Sequence, residues 1–178
     1  RLTAGRTDTA ARFAIRCEAL ARRAHARSAP SWGINSARVS LLRVPGIYAE
    51  DRPGGHPRER LARGTPVLRP ADDVYTNHIH ADDLERACVA ALHRGLPQRA
   101  VHVCDDREMK MGDYFDLVAD LSSLPRPRRI SREQAQRELS PLQLSFLSES
   151  RRLDNRRMKR ELRLRLRYPT VREGLARS

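Results

Sequence analysis

Lysine is nearly missing from this chain. It occurs only at 110 and 159, so 33 of the 35 basic residues are arginine. Such a bias is what GC-rich coding gives, and it weakens any functional reading of the +13 net charge. Aromatics make up only 4% and do not interleave with the basic residues, which argues against a stacking surface for nucleic acid. The three cysteines (Cys17, Cys88, Cys104) are an odd number without short metal spacing. That excludes a disulfide framework or a zinc motif, and the expectation is a reducing, cytoplasmic setting with no metal. No apolar run reaches ~18 residues, so neither a spanning helix nor a membrane partner is expected. The nine glycines form no G-x-G-x-x-G, so the phosphate-binding turn of a dinucleotide site cannot be built from these residues.

What is present suits one domain, or the larger part of one. Residues 1–30 carry +5, residues 31–122 carry −2 and residues 123–178 carry +10. The basic tail would attract polyanions at low salt, although charge runs of this kind are more often solvated helical faces. The spacing of Phe13, Cys17 and Leu20 predicts a helix over 9–27, ended by the turn-rich 28–33. Val39, Leu41, Leu42 and Val44 predict a strand over 37–44 covered on both faces. A loop over 49–58 and a short helix at 58–63 follow. Residues 74–80 read as a strand, with Val74, Thr76 and His78 on one face and Tyr75, Asn77 and Ile79 on the other. Asp82 with Glu85 reads as a capping box for a helix to about Arg94, burying Leu84, Cys88 and Leu92. A strand at 100–104 precedes a helix marked by Met111, Phe115, Val118 and Leu121. Ser131 with Gln134 starts another helix that Pro141 interrupts, and a last helix covers 154–163. Single strands alternating with helices indicate α/β. Three strands leave an exposed sheet edge, which offers an association site.

Three blocks carry a resemblance. His78-Ile-His-Ala-Asp-Asp-Leu84, Leu42-Arg43-Val44-Pro45-Gly46-Ile47-Tyr48, and Asp154-Asn155 leading to Tyr168-Pro169-Thr170 and Gly174-Leu175 occur in order and at fitting spacing. Together they resemble the NAD(P)-dependent epimerase/dehydratase family, the extended short-chain dehydrogenases. The resemblance covers about residues 10–176. It implies the C-terminal part of a Rossmann-like parallel-sheet domain (1–106) with a mainly helical substrate-binding lobe (107–178). The N-terminal nucleotide-binding half is expected upstream of Arg1. The family's G-x-x-G-x-x-G is absent, and so is its Tyr-x-x-x-Lys pair: Asp106 and Asn155 stand four residues before the two lysines. Catalytic residues therefore stay unassigned.

The resemblance implies that Val44, Pro45, Gly46 and Ile47 line the nicotinamide end of NAD or NADP, and that Tyr48, Arg52, Asn77 and His78 border the substrate. No tight cofactor binding is expected from this chain alone. Each assignment has a plainer counterpart: a strand-to-loop turn for 44–48, a surface arginine for Arg52, structural histidines for 78 and 80. A His78/His80 metal site joined by Asp82 or Asp83 lacks further ligands. Asp105 and Asp106 fit turn and cap duty better than acid–base work. Arg163 stands where the family commonly has glycine, so the last helix is expected to fray or run on. The function expected is a fragment of an NAD(P)-dependent oxidoreductase acting on a small carbonyl or alcohol, inactive alone. The alternative is a non-catalytic binding or regulatory module of the same fold. Specific nucleic-acid binding is not expected.

Overall fold

The structure is a computed structural model that describes residues 39–49 and 56–176. The expected helix over 9–27, the turn at 28–33 and Arg52 lie outside the described residues.

Parallel pairing organises the sheet. Strand β1 (Ser40–Arg43) pairs with β6 (Arg99–His102), and β2 (Gly46–Tyr48) pairs with β5 (His78–His80), both parallel. Pro45 has no N–H to give, and it stands at the break between β1 and β2. The two pairs are joined by the chain after β6. Val103 N–H donates to the Arg43 carbonyl at 2.9 Å, and Asp105 N–H donates to the His78 carbonyl at 2.8 Å. Two smaller pairs flank them: β3 (Val67–Leu68) with β8 (Arg129–Ile130), parallel, and β4 (Tyr75–Thr76) with β7 (Met109–Lys110), antiparallel.

The expected strand over 74–80 is thus two strands. The chain changes partner at Asn77, whose Oδ1 accepts the Leu153 N–H at 3.1 Å. Gly46–Tyr48, read as a turn, is a strand. Eight short strands replace the three expected among the described residues, because two-residue strands are too short to show alternation. Strand β1 is only half-buried among the described residues, not covered on both faces.

The helices are α1 (Arg58–Ala62), α2 (Ala81–Arg94), α3 (Met111–Leu121), α4 (Arg132–Glu138), α5 (Pro141–Leu147), α6 (Arg156–Glu161) and α7 (Val171–Ala176). None is long and apolar enough to cross a membrane. Helix α2 corrects the expected register. Its N-cap is His80, whose Nδ1 accepts the Asp82 N–H at 3.2 Å, and not Asp82. Its inward face carries Asp83 and Ala87, both fully buried, while Cys88 is exposed and Leu92 is 84% exposed. The Asp83 carboxylate explains the rotation. It accepts the backbone N–H groups of Arg167 and Tyr168, so it must face inward, and Ala87 one turn later follows it.

The Ser131–Gln134 capping box forms as expected. Pro141 does not interrupt α4. It occupies the first turn of a separate helix capped by Ser140 and Gln143, a place where its missing N–H costs nothing. The helix expected over 154–163 is shorter and does not run on: α6 covers Arg156–Glu161, and Arg163 takes the left-handed conformation at φ 52°. Helix α7 was not expected. Thr170 Oγ1 accepts the Glu173 N–H at 3.3 Å and Glu173 accepts the Thr170 N–H at 3.1 Å, so Thr-x-x-Glu opens it.

The two faces of β2 and β5 feed separate cores. Tyr48 joins Val67, Leu68, Phe115, Val118, Ile130, Leu147 and Val171 on one side. Ile47 and Ile79 join Ala87, Val101, Val103, Met158 and Leu162 on the other.

Candidate functional site

The side-by-side register of β2 and β5 sets Gly46 beside His78. A methyl group at Gly46 would lie 3.1 Å from His78 Cδ2, so glycine is what lets the ring lie against the strand. The other face of the ring stacks on Tyr114 of α3, with centroids 3.8 Å apart and planes 13° apart. His78 is 6% exposed, and its Nδ1 has no hydrogen-bond partner. Burial pushes its pKa down to about 3, so the ring is neutral near pH 7.

Around this sandwich stand other polar groups held out of water. The Tyr48 hydroxyl donates to the Thr170 carbonyl at 3.5 Å, and burial, then the Asp105 charge, raises its pKa. Burial likewise raises the Tyr114 pKa. Asp105 is 3% exposed; its Oδ1 accepts the Arg107 N–H at 3.3 Å and its Oδ2 has no partner. Burial lifts this carboxyl to about 7, against the Arg107 hydrogen bond, and neighbouring Asp106 adds to the rise. The Arg60 guanidinium lies 4.5 Å over the Phe115 ring with Nε and Nη2 unpartnered, and burial lowers its pKa. Buried polar groups without partners are uncommon, and three of them in one region ask for an explanation.

Among the residues singled out from sequence, Gly46, Tyr48, Asn77 and His78 come together here, and Val44 is 37% exposed at the rim. Tyr48 and Asn77 are turned to structural duty, since the hydroxyl of one and the amide oxygen of the other are bonded within the fold. His80 caps α2 and packs 4.1 Å from the Tyr168 ring. Among the described residues no three His, Cys, Asp or Glu side chains converge as metal ligands. Asp105 makes the turn bond expected of it, its Oδ1 accepting the Arg107 N–H two residues on, but it is also buried, and burial pushes its pKa up to about 7. Asp106 is instead bonded from far along the chain, by Asn155 Nδ2 at 2.7 Å and Lys159 Nζ at 2.5 Å. Arg60 and Tyr114 were missed altogether; nothing in their local sequence separates them from other arginines and core aromatics.

Solved structures share this architecture. A functionally unknown conserved protein from Silicibacter pomeroyi matches with 32% identity and a TM-score of 0.65, over 78% of this chain and 46% of that one. A nucleoside-diphosphate-sugar epimerase from Pseudomonas aeruginosa matches with 21% identity and a TM-score of 0.67, over 89% and 51%. A human epimerase family protein solved with NADPH matches with 14% identity and a TM-score of 0.66, over 85% and 51%. The fold is the α/β fold of these epimerase proteins. The chain spans about half the length of the structures it matches. Further neighbours include sugar-nucleotide epimerases and a dehydratase, some solved with NAD. No family model matches, and no curated protein matches either.

Gly46 is exposed and carries no side chain, and Val44 two residues before it is 37% exposed. No glycine-rich turn for the phosphates of a dinucleotide exists in the sequence.

Proposed function

We propose that this chain supplies the substrate-side part of an NAD(P)-dependent epimerase/dehydratase-like oxidoreductase acting on a small carbonyl or alcohol. The observation that carries the reading is the buried His78–Tyr114 stack beside Gly46, with its unpartnered histidine nitrogen, in a fold shared with epimerase proteins. Residues 39–106 would furnish the sheet side and 107–176 the helical lobe. Val44, Pro45, Gly46 and Ile47 would border the nicotinamide, which supplies hydride chemistry when bound. His78 would hold a substrate hydroxyl or carbonyl as a neutral hydrogen-bonding ring, and Tyr48 and Asn77, bonded within the fold, would border it. Arg60 has two free donors suited to an anionic or polar substrate group. Asp105 is matched to proton exchange near pH 7. The edge of β1 without a strand partner among the described residues would serve for association.

The test is the intact mass of the protein as its native host makes it, followed by NAD(P)H oxidation assays with small carbonyl substrates. A species longer by ~100 residues or more that turns over, and loses turnover in Arg60→Met and His78→Phe, supports the proposal. A host protein matching Arg1–Ser178 without turnover overturns it and leaves the non-catalytic binding module.

A further inference from the structure

The segment between α6 and Tyr168 runs Arg163-Leu-Arg-Leu-Arg167. Its exposure alternates as in a strand. Arg163, Arg165 and Arg167 are exposed, while Leu164 is buried and Leu166 half-buried against the Ile79–Met158 core. A groove lies on each side. One is walled by Val89, Ala90 and His93 of α2, the other by Lys159 and Pro169.

Two observations describe this strip. Arginines such as Arg69, Arg126 and Arg129 are neutralised, by Asp72, Asp120 and Asp116. Arg163 and Arg165 make no ion pair or hydrogen bond through their side chains among the described residues. The backbone groups of Leu164, Arg165 and Leu166 also make no hydrogen bond among the described residues, although one of these residues is buried. Backbone donors and acceptors left in this state are a template for strand addition.

We propose that the 163–167 strip docks an extended acidic segment of a protein partner, which pairs alongside it as a strand and sets carboxylates against Arg163 and Arg165. The Arg163 and Arg165 side chains are both exposed, so alternate acidic residues of an extended segment can be set against them. The aliphatic walls at Val89, Ala90 and Leu164 suit aliphatic residues between the carboxylates. A nucleic acid fits less well, because neither groove is lined by a Phe, Tyr or Trp side chain. This site is independent of the oxidoreductase reading.

The experiment titrates the 178-residue chain with a fluorescein-labelled octapeptide of alternating glutamate and valine, read by polarisation and by amide hydrogen exchange. Saturable binding is expected, at least tenfold weaker in Arg163→Gly/Arg165→Gln and unchanged in Arg137→Gln/Arg172→Gln, which removes the same charge elsewhere. The amides of Leu164–Leu166 are expected to exchange more slowly with peptide present. Arg165→Gln alone, which leaves the backbone at 163 untouched, is expected to weaken binding at least threefold. Equal weakening by the two double variants, binding without amide protection, no binding, or tighter binding of an oligothymidylate through Arg163 and Arg165 would each overturn the proposal.

Discussion

Asp83 holds Tyr168. The buried carboxylate accepts the Tyr168 N–H at 2.8 Å and the Arg167 N–H at 2.9 Å, across 85 residues of sequence, while Arg86 pairs with its other side at 2.7 Å. Removing it leaves two backbone donors without an acceptor. Asp83→Ala is therefore expected to cost about 2–4 kcal/mol, and Asp83→Asn, which keeps one acceptor, about half as much. Urea unfolding with an unchanged m-value checks this. A loss below about 1 kcal/mol would mean that the C-terminal segment is held mainly by packing.

Asp105 and His78 give opposite pH dependences. Asp105 titrates near 3.8 when unfolded and about 7 when folded, so the folded state binds more protons between those values. The stability present at the acid end is lost as pH rises through about 7, at no more than about 1.4 kcal/mol per pH unit. Asp105→Asn should thus gain on the parent between pH 5 and pH 8, which parallel urea midpoints would read. A constant difference would place Asp105 in water.

His78 titrates near 6.5 when unfolded and about 3 when folded, so the unfolded state takes up its proton first. That stability is present above 6.5 and lost as pH falls towards 3. His78→Phe preserves the stack on Tyr114 and removes the titration, so it should gain on the parent between pH 7.5 and pH 4.5. NMR titration of the ring in the folded parent should show no charging above pH 5.

Arg163 has a positive φ of 52° that costs a side-chain-bearing residue about 1–2 kcal/mol. Glycine relieves this but makes the unfolded chain freer by about 0.4–1 kcal/mol. Arg163→Gly should raise stability by about 0.5–1 kcal/mol in thermal or urea unfolding. A loss would show that the arginine side chain makes a compensating contact.

Gly174 faces Tyr48 closely. A methyl group there would overlap the tyrosine hydroxyl and crowd Cζ, which lies 2.9 Å away. Gly174→Ala should cost about 1–3 kcal/mol through overpacking. Adding Tyr48→Phe removes the overlapping oxygen, so the double variant should lose less than the two single variants together. Simple additivity would mean that α7 shifts bodily to make room.

The parts of the fold legible in sequence were those whose signals are local. The Ser131–Gln134 box needs only four residues, and Met111, Phe115 and Val118 repeat at helical spacing on α3. Thr170–Glu173 was equally legible and went unread. Reading failed where a distant partner decides the outcome. Asp83 turns α2 inward through bonds to residues 84 and 85 positions away, overriding the apolar stripe of Leu84, Cys88 and Leu92. In the candidate site, Gly46 and His78 stood in recognisable blocks. Tyr114, Arg60 and the burial of Asp105 depend on how α3, α1 and the end of β6 pack together, which no spacing encodes.

The parallel ladders also dictate when this chain can fold. Ser40 pairs with Arg99 and Val67 with Arg129, each some ~60 residues apart, and Asp83 waits for Tyr168. Such distant closures fold slowly, because the loop entropy is spent before the contacts repay it. On the ribosome, β1 and α2 would emerge long before Met158, Leu162 and Leu164, which complete their core. The β1–α2 part would leave the exit tunnel with apolar surface uncovered, a natural client for chaperones until Met158, Leu162 and Leu164 arrive.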